Sequence, residues 1–150
     1  MRPADQDRRG QGCLSRRRRF LVTWVPALVY MVAILLVSGD PDPPQPAGWA
    51  AFDKWEHMAA YFVLGLLLYW AFRGYWLFGR LAAAIAAVLM GSAHGVFAEL
   101  HQVFVPQRHS DANDAIADLL GLLAAQVAVG LAVGLRGLCR AARRRRPGWH

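Results

Sequence analysis

Four apolar runs, separated by polar or proline-rich segments, constrain the fold of this 150-residue chain more than any other feature. The runs cover residues 20–38, 57–72, 81–100 and 114–135. At ~1.5 Å per residue, a helix over the first run would be about 28 Å long, close to the ~30 Å hydrocarbon core of a bilayer. The sequence therefore predicts an all-α membrane protein built as a bundle of four transmembrane helices.

Charge is segregated along the chain. The formal net charge is +7, although 56% of the residues are hydrophobic and only 18% are charged. A soluble domain would spread more charge over its surface, and a disordered chain would be less apolar. The arginine clusters at 16–19 and 143–146 flank the apolar region, as topology determinants and anionic-lipid contacts do, so we expect no nucleic-acid partner. Two cysteines, Cys13 and Cys139, are too few for a disulfide-rich secreted scaffold.

The distribution of arginine predicts the side of the membrane on which each segment lies. Nearly all arginines are in the two tails and in the connection 73–80, which the positive-inside rule assigns to the cytoplasm. We therefore divide the chain into a disordered basic cytoplasmic tail (1–19), a transmembrane domain (20–135) and a second basic cytoplasmic tail (136–150). No small-x-small cleavage site follows the first run, so we expect it to be a span and not a cleaved export signal.

Ionisable and polar residues form stripes at the extracytoplasmic ends of three spans. A charged group costs ~2.5–3.5 kcal/mol at the bilayer centre, and such residues tend to face the interior of a bundle. Helical spacing puts each set on one face, with glycine deeper on the same face, so the three stripes should meet at one depth. The stripes are Asp53, His57, Tyr61 and Gly65; Gly91, Gly95, Glu99 and Gln102; and Asp111, Asp114, Asp118 and Gly121.

These stripes predict a polar pocket that opens to the outside. Its candidate ligand-binding residues are Asp53, Lys54, His57, Glu99, Gln102, Arg108, Asp111, Asp114 and Asp118. The alternative is structural, because acid–base pairs can neutralise one another and hold helices in register, and carboxylates near helix N-termini can act as caps. We interpret the deeper His94 and Gln126 as residues that hydrogen-bond between helices.

An ordered set of short motifs lies between about Phe52 and Ala125, which is about half of the chain. The motifs are Asp53-Lys54-Trp55-Glu56-His57, Glu99-Leu100-His101-Gln102, Pro106-Gln107-Arg108, and Asp111-Ala112-Asn113-Asp114 with the run to Gly121. In this order they resemble the VanZ-like family of small bacterial membrane proteins, which is named for an accessory factor in resistance to the glycopeptide teicoplanin. One position departs from the family pattern, because Asp118 stands where the family often has Asn. The resemblance implies a multi-pass protein of the bacterial cytoplasmic (inner) membrane, linked to the cell envelope and to antibiotic resistance.

Three functions are compatible with these residues. The first is a non-enzymatic protein that binds an envelope lipid head group, an envelope precursor or a glycopeptide-like ligand, with Lys54 and Arg108 suited to phosphate or carboxylate. The second is a membrane-surface enzyme acting on an envelope precursor, with His57, Glu99 and Asp114 as catalytic candidates, since His titrates near neutral pH. We favour binding over catalysis because no nucleophile is apparent.

The third function is a structural or transport-accessory membrane protein. Gly130-x-x-x-Gly134 in the fourth span could pair two copies as a homodimer. Membrane lipids are the expected partners in every case. The His and carboxylate residues of the third span do not follow a zinc-binding spacing, so we expect neither a metal nor a cofactor.

Overall fold

The chain is helical wherever a computed structural model describes it, apart from the short connection at 75–79 and the turn at 103–104. The backbone is described for residues 3–38, 50–104 and 112–144, and the side chains for residues 15–38, 54–104 and 112–140. These parts of the chain form helices α1 (Pro3–Ser38), α2 (Ala50–Gly74), α3 (Arg80–Gln102) and α4 (Ala112–Arg144). The prediction of an all-α fold is therefore confirmed.

Three of the helices are long and apolar enough to cross a membrane. They do so over Ser15–Ser38 in α1, Arg80–Gln102 in α3 and Ala112–Arg140 in α4. Helix α2 contains the predicted span 57–72, but its first turns carry Lys54, Glu56 and His57. Its position in a membrane therefore depends on what covers those polar side chains.

Two helices extend beyond the apolar runs that predicted them. Helix α1 begins at Pro3, inside the segment predicted to be a disordered tail, and α4 continues to Arg144 through part of the second basic tail. Arginine is a good helix former, so a basic segment that directly adjoins a span can continue its hydrogen-bonding pattern. The length of an apolar run indicates which part of a helix lies in the hydrocarbon core, but it does not indicate the residue at which the helix ends.

Helix α2 lies at the centre of the fold. It contacts α1, α3 and α4, and its interface with α4 is the most extensive. Glycine allows this close approach, because a Cβ on Gly121 would overlap the carbonyl oxygen of Met58 and one on Gly65 would lie 2.9 Å from the Cβ of Ala125. The two backbones therefore pack almost directly against each other.

The apolar side chains are distributed as in a lipid-embedded protein. A compact core contains Trp24, Leu64, Leu68 and Leu122. The outer faces nevertheless carry many exposed large apolar residues, such as Leu36 on α1 and Leu81 on α3. Continuous apolar surface of this kind is unusual on soluble monomers and is favourable against acyl chains.

The connection between α2 and α3 is tight, as expected for 73–80. Leu77 has a positive φ of 57°, and the Arg73 side chain donates a hydrogen bond to the carbonyl oxygen of Phe78. This turn joins the end of α2 to the start of α3, and its Tyr75 ring lies 5.5 Å from the Phe20 ring of α1.

Candidate functional site

One ion pair and one histidine–carboxylate hydrogen bond join the beginning of α2 to the beginning of α4. The Nζ atom of Lys54 lies 2.7 Å from Oδ1 of Asp114, and Nδ1 of His57 lies 3.0 Å from Oδ1 of Asp118. Deeper in the interface, Nε2 of Gln126 donates to the Gly65 carbonyl oxygen at 3.3 Å. In these three contacts the residue numbers increase in the same direction along both helices, so α2 and α4 run parallel.

A second set of hydrogen bonds extends the polar contacts to α3 and α1. The Tyr61 hydroxyl lies 3.1 Å from Nδ1 of His94, whose Nε2 lies 3.2 Å from the carbonyl oxygen of Met31. A carbonyl oxygen only accepts hydrogen bonds, so Nε2 of His94 carries a proton. The interpretation of His94 as an interhelical hydrogen-bonding residue is confirmed.

Asp118 links the two sets. Its Oδ2 faces Gly95, where an added Cβ would lie 2.9 Å from that oxygen and 3.5 Å from the Tyr61 hydroxyl. The carboxylates of Asp118 and Glu99 are both close enough to interact electrostatically with Tyr61. We call the connected side chains of Lys54, His57, Tyr61, His94, Glu99, Asp114 and Asp118 the polar network.

The polar network has an accessible end and a sealed end. The exposed fraction of the side chain is 41% for Lys54, 18% for His57 and 3% for Asp118. Glu99 and Gln102 are buried at the end of α3, at the same level as the first turns of α4. We call this accessible end, formed by Lys54, His57, Glu99 and Asp114, the polar end of the bundle.

The sequence identified most, but not all, of these residues. Asp53, Arg108 and Asp111 lie outside the residues whose side chains the structure describes. His57 is hydrogen-bonded to Asp118, which the sequence placed in the binding set but not among the catalytic candidates His57, Glu99 and Asp114. Tyr61 was recognised on its stripe but was not proposed for the site.

Nothing in the sequence indicates that the backbone of α1 provides a hydrogen-bond acceptor for the polar network. The carbonyl of Met31 belongs to an apolar residue, and only the packing of α1 against α3 shows that it accepts a hydrogen bond. Gln126, in contrast, was predicted to connect helices, and its hydrogen bond to Gly65 confirms that role. Its Oε1 atom is buried without a partner in the part of the chain that the structure describes.

The network can bind and orient a polar ligand or move protons between its members. Its described ionisable groups comprise three carboxylates, one ammonium, two imidazoles and one phenol. Among the described side chains, no three His, Cys, Asp or Glu residues are arranged to hold a metal ion.

Comparison with known proteins identifies one relationship. A family model described as VanZ/LLP1 matches residues 14–133, which covers all four helices in whole or in part. No curated protein and no solved structure matches the chain.

Proposed function

The chain belongs to the VanZ/LLP1 family, and from this premise and the geometry of the polar end we propose that it binds the head group of an envelope lipid. The observation that carries the proposal is the polar network, which runs from the half-exposed Lys54 to the buried Asp118 within an otherwise apolar bundle. Ionisable residues inside membrane segments are costly and usually serve a ligand or proton path.

The charges of the polar end favour a particular kind of head group. The network contains three carboxylates, Glu99, Asp114 and Asp118, against the ammonium of Lys54 and the imidazoles of His57 and His94. A head group with amine or hydroxyl donors beside its phosphate would complement this set. Its phosphate would bind Lys54, and its donors would take the place that Lys54 now holds on Asp114.

We further propose that α2 is the fourth span and that both termini are cytoplasmic. Helix α2 contacts each of the other three helices, and its polar residues pair with α4 inside the bundle. A helix of 25 residues at the centre of three spans is long enough to cross the membrane itself. The positive-inside rule then orients the polar end outward in a bacterial cytoplasmic membrane.

The proposal is tested by native mass spectrometry of the full chain with added phosphatidylethanolamine or phosphatidylcholine of identical acyl chains. Phosphatidylethanolamine carries hydrogen-bond donors on its amine, and the quaternary amine of phosphatidylcholine does not. Wild type should retain phosphatidylethanolamine preferentially. Glu99→Gln should lower that preference about tenfold, because it removes a carboxylate that can accept a charge-assisted hydrogen bond from the amine. Lys54→Gln should lower the retention of both lipids, because both carry the phosphate that Lys54 would bind.

Glu56→Gln is the matched control for Glu99→Gln. It makes the same chemical change at the same end of the bundle, on an exposed side chain. Equal retention by all variants, with earlier thermal unfolding of Lys54→Gln and Glu99→Gln than of Glu56→Gln, would show that the polar network only holds helices together. Because the motifs resemble a family named for glycopeptide resistance, teicoplanin is the second ligand to add in the same measurement.

One observation favours a second candidate function, a membrane-surface enzyme. The buried carboxylate of Asp118 orients the ring of His57 at 3.0 Å, as in carboxylate–histidine pairs that perform general acid–base catalysis. Turnover would be visible in the same mass spectra as a product of the added lipid, formed by wild type and not by His57→Gln. Retention without any change in lipid mass would support binding alone.

A further inference from the structure

An aromatic groove lies at the other end of the bundle, away from the polar network. It is about 570 Å³ in volume, within the ~300–1,000 Å³ of typical ligand pockets, and it is open on one side. Its walls come from α1, α2, the α2–α3 connection and α3, and they are almost entirely apolar. We call it the basic-end groove, and its principal lining residues are Phe20, Trp24, Leu28, Phe72, Tyr75 and Met90.

The helical register of α1 aligns the basic-end groove with a positive charge. Phe20, Trp24 and Leu28 are spaced one turn apart, and Arg16 is one turn before Phe20 on the same face. The guanidinium of Arg16 lies 5.8 Å from the centre of the Tyr75 ring, which lines the groove. Arg16 therefore lies at the mouth of the groove, in contact with its wall.

The described charged side chains in contact with this groove are basic. Arg16 lies against the Tyr75 ring, and Arg73 donates a hydrogen bond to the carbonyl oxygen of Phe78, another lining residue. All four Asp and Glu side chains that the structure describes, Glu56, Glu99, Asp114 and Asp118, belong to the opposite end of the bundle. Arginines beside an apolar groove are complementary to an amphiphile with an anionic head.

Trp24 is a fixed part of the groove wall. Its side chain is only 8% exposed, and its Nε1–H group is enclosed, with no hydrogen-bond acceptor among the described residues. Its ring packs edge-on against Phe72, another lining residue, at 5.3 Å between the ring centres. Trp24 therefore offers apolar surface to an acyl chain and no polar contact.

We propose that the basic-end groove binds one anionic phospholipid. An acyl chain lies along Phe20, Trp24 and Leu28, and the phosphate is held by Arg16. This is a site separate from the head-group site at the polar end. It would anchor α1 to the α2–α3 hairpin in the leaflet that adjoins the arginine clusters.

The test is native mass spectrometry of the full chain with phosphatidylglycerol and phosphatidylcholine of identical acyl chains. Wild type should prefer phosphatidylglycerol, and Arg16→Gln should lower that preference about tenfold. Arg18→Gln is the matched control, because it removes the same charge from another face of α1. Equal effects of the two variants would show general attraction to a basic surface and would overturn the assigned site.

A steric pair of variants tests the groove itself. Leu28→Trp fills the groove from a lining position, whereas Val29→Trp adds the same side chain on an exposed position outside it. We expect phosphatidylglycerol retention to be lost in the first variant and kept in the second. Retention in both would contradict the proposal.

Discussion

The Tyr61 hydroxyl is the atom through which the polar contacts of α2 reach α3 and α1. It is hydrogen-bonded to His94, and His94 is hydrogen-bonded to the Met31 carbonyl oxygen. Nε2 of His94 donates to that carbonyl, and Nδ1 of the same ring shares a second hydrogen bond with the Tyr61 hydroxyl. One hydroxyl thus joins α1, α2 and α3 inside the bundle.

Tyr61→Phe should therefore destabilise the protein without changing its shape. We expect the free energy of unfolding to fall by about 1 kcal/mol, because interhelical hydrogen bonds in membrane proteins are worth roughly that amount. Tyr69→Phe makes the same change two turns further along α2, at a half-buried position. A denaturant titration in micelles should separate the two variants, and equal stability would contradict the assigned role of the hydroxyl.

For individual residues, the sequence indicates which side chains face the interior of the bundle but not which atoms form hydrogen bonds with each other. Helical spacing correctly put His57, Glu99 and Asp118 on interior stripes. Choosing Asp118 as the partner of His57 requires the axial offset between α2 and α4, which spacing within each helix does not contain. The Met31 carbonyl is still less predictable, because every residue has one.

The closest approach of α2 and α4 is the element-scale feature that positions the polar network. At Gly121 the backbone of α4 meets the backbone of α2 at Met58, one residue after His57. The Lys54–Asp114 and His57–Asp118 contacts both lie within two turns of this point. Separating the helices there would lengthen the contacts of Lys54 and His57 with their carboxylates.

Gly121→Ala should consequently force α2 and α4 apart. Because the clash is with backbone, which cannot rotate away, we expect a loss of about 1–3 kcal/mol in the free energy of unfolding. Gly130→Ala on the same helix meets nothing within 4 Å and should be neutral or stabilise by up to about 1 kcal/mol through helix propensity. Similar losses in both variants would show that helix propensity and not packing determines the result.

Helix existence was predictable and helix length was not. The apolar runs identified the cores of α1 to α4, and the glycines on the polar stripes indicated their mutual faces. The added turns at the start of α1 and the end of α4 consist of polar, basic sequence, whose helicity depends on the adjoining span.

The whole molecule has two chemically distinct ends. The polar end has carboxylates, an ammonium and imidazole, and the other end has arginines around an aromatic groove. Helices α2 and α4 run parallel while α3 runs opposite to them, as the alternation of predicted spans required. The sequence predicted that the three stripes would meet at one end, and the structure brings their described members together there.

The most direct test of this account uses the only lysine of the chain, Lys54. Its side chain is 41% exposed, so a membrane-impermeant amine reagent should modify it from the side that the polar end faces. We predict modification in right-side-out vesicles and not in inside-out vesicles, with the exposed thiol of Cys139 showing the reverse for an impermeant maleimide. Modification of Lys54 only in inside-out vesicles would contradict the proposed orientation and with it a head-group site on the outer surface.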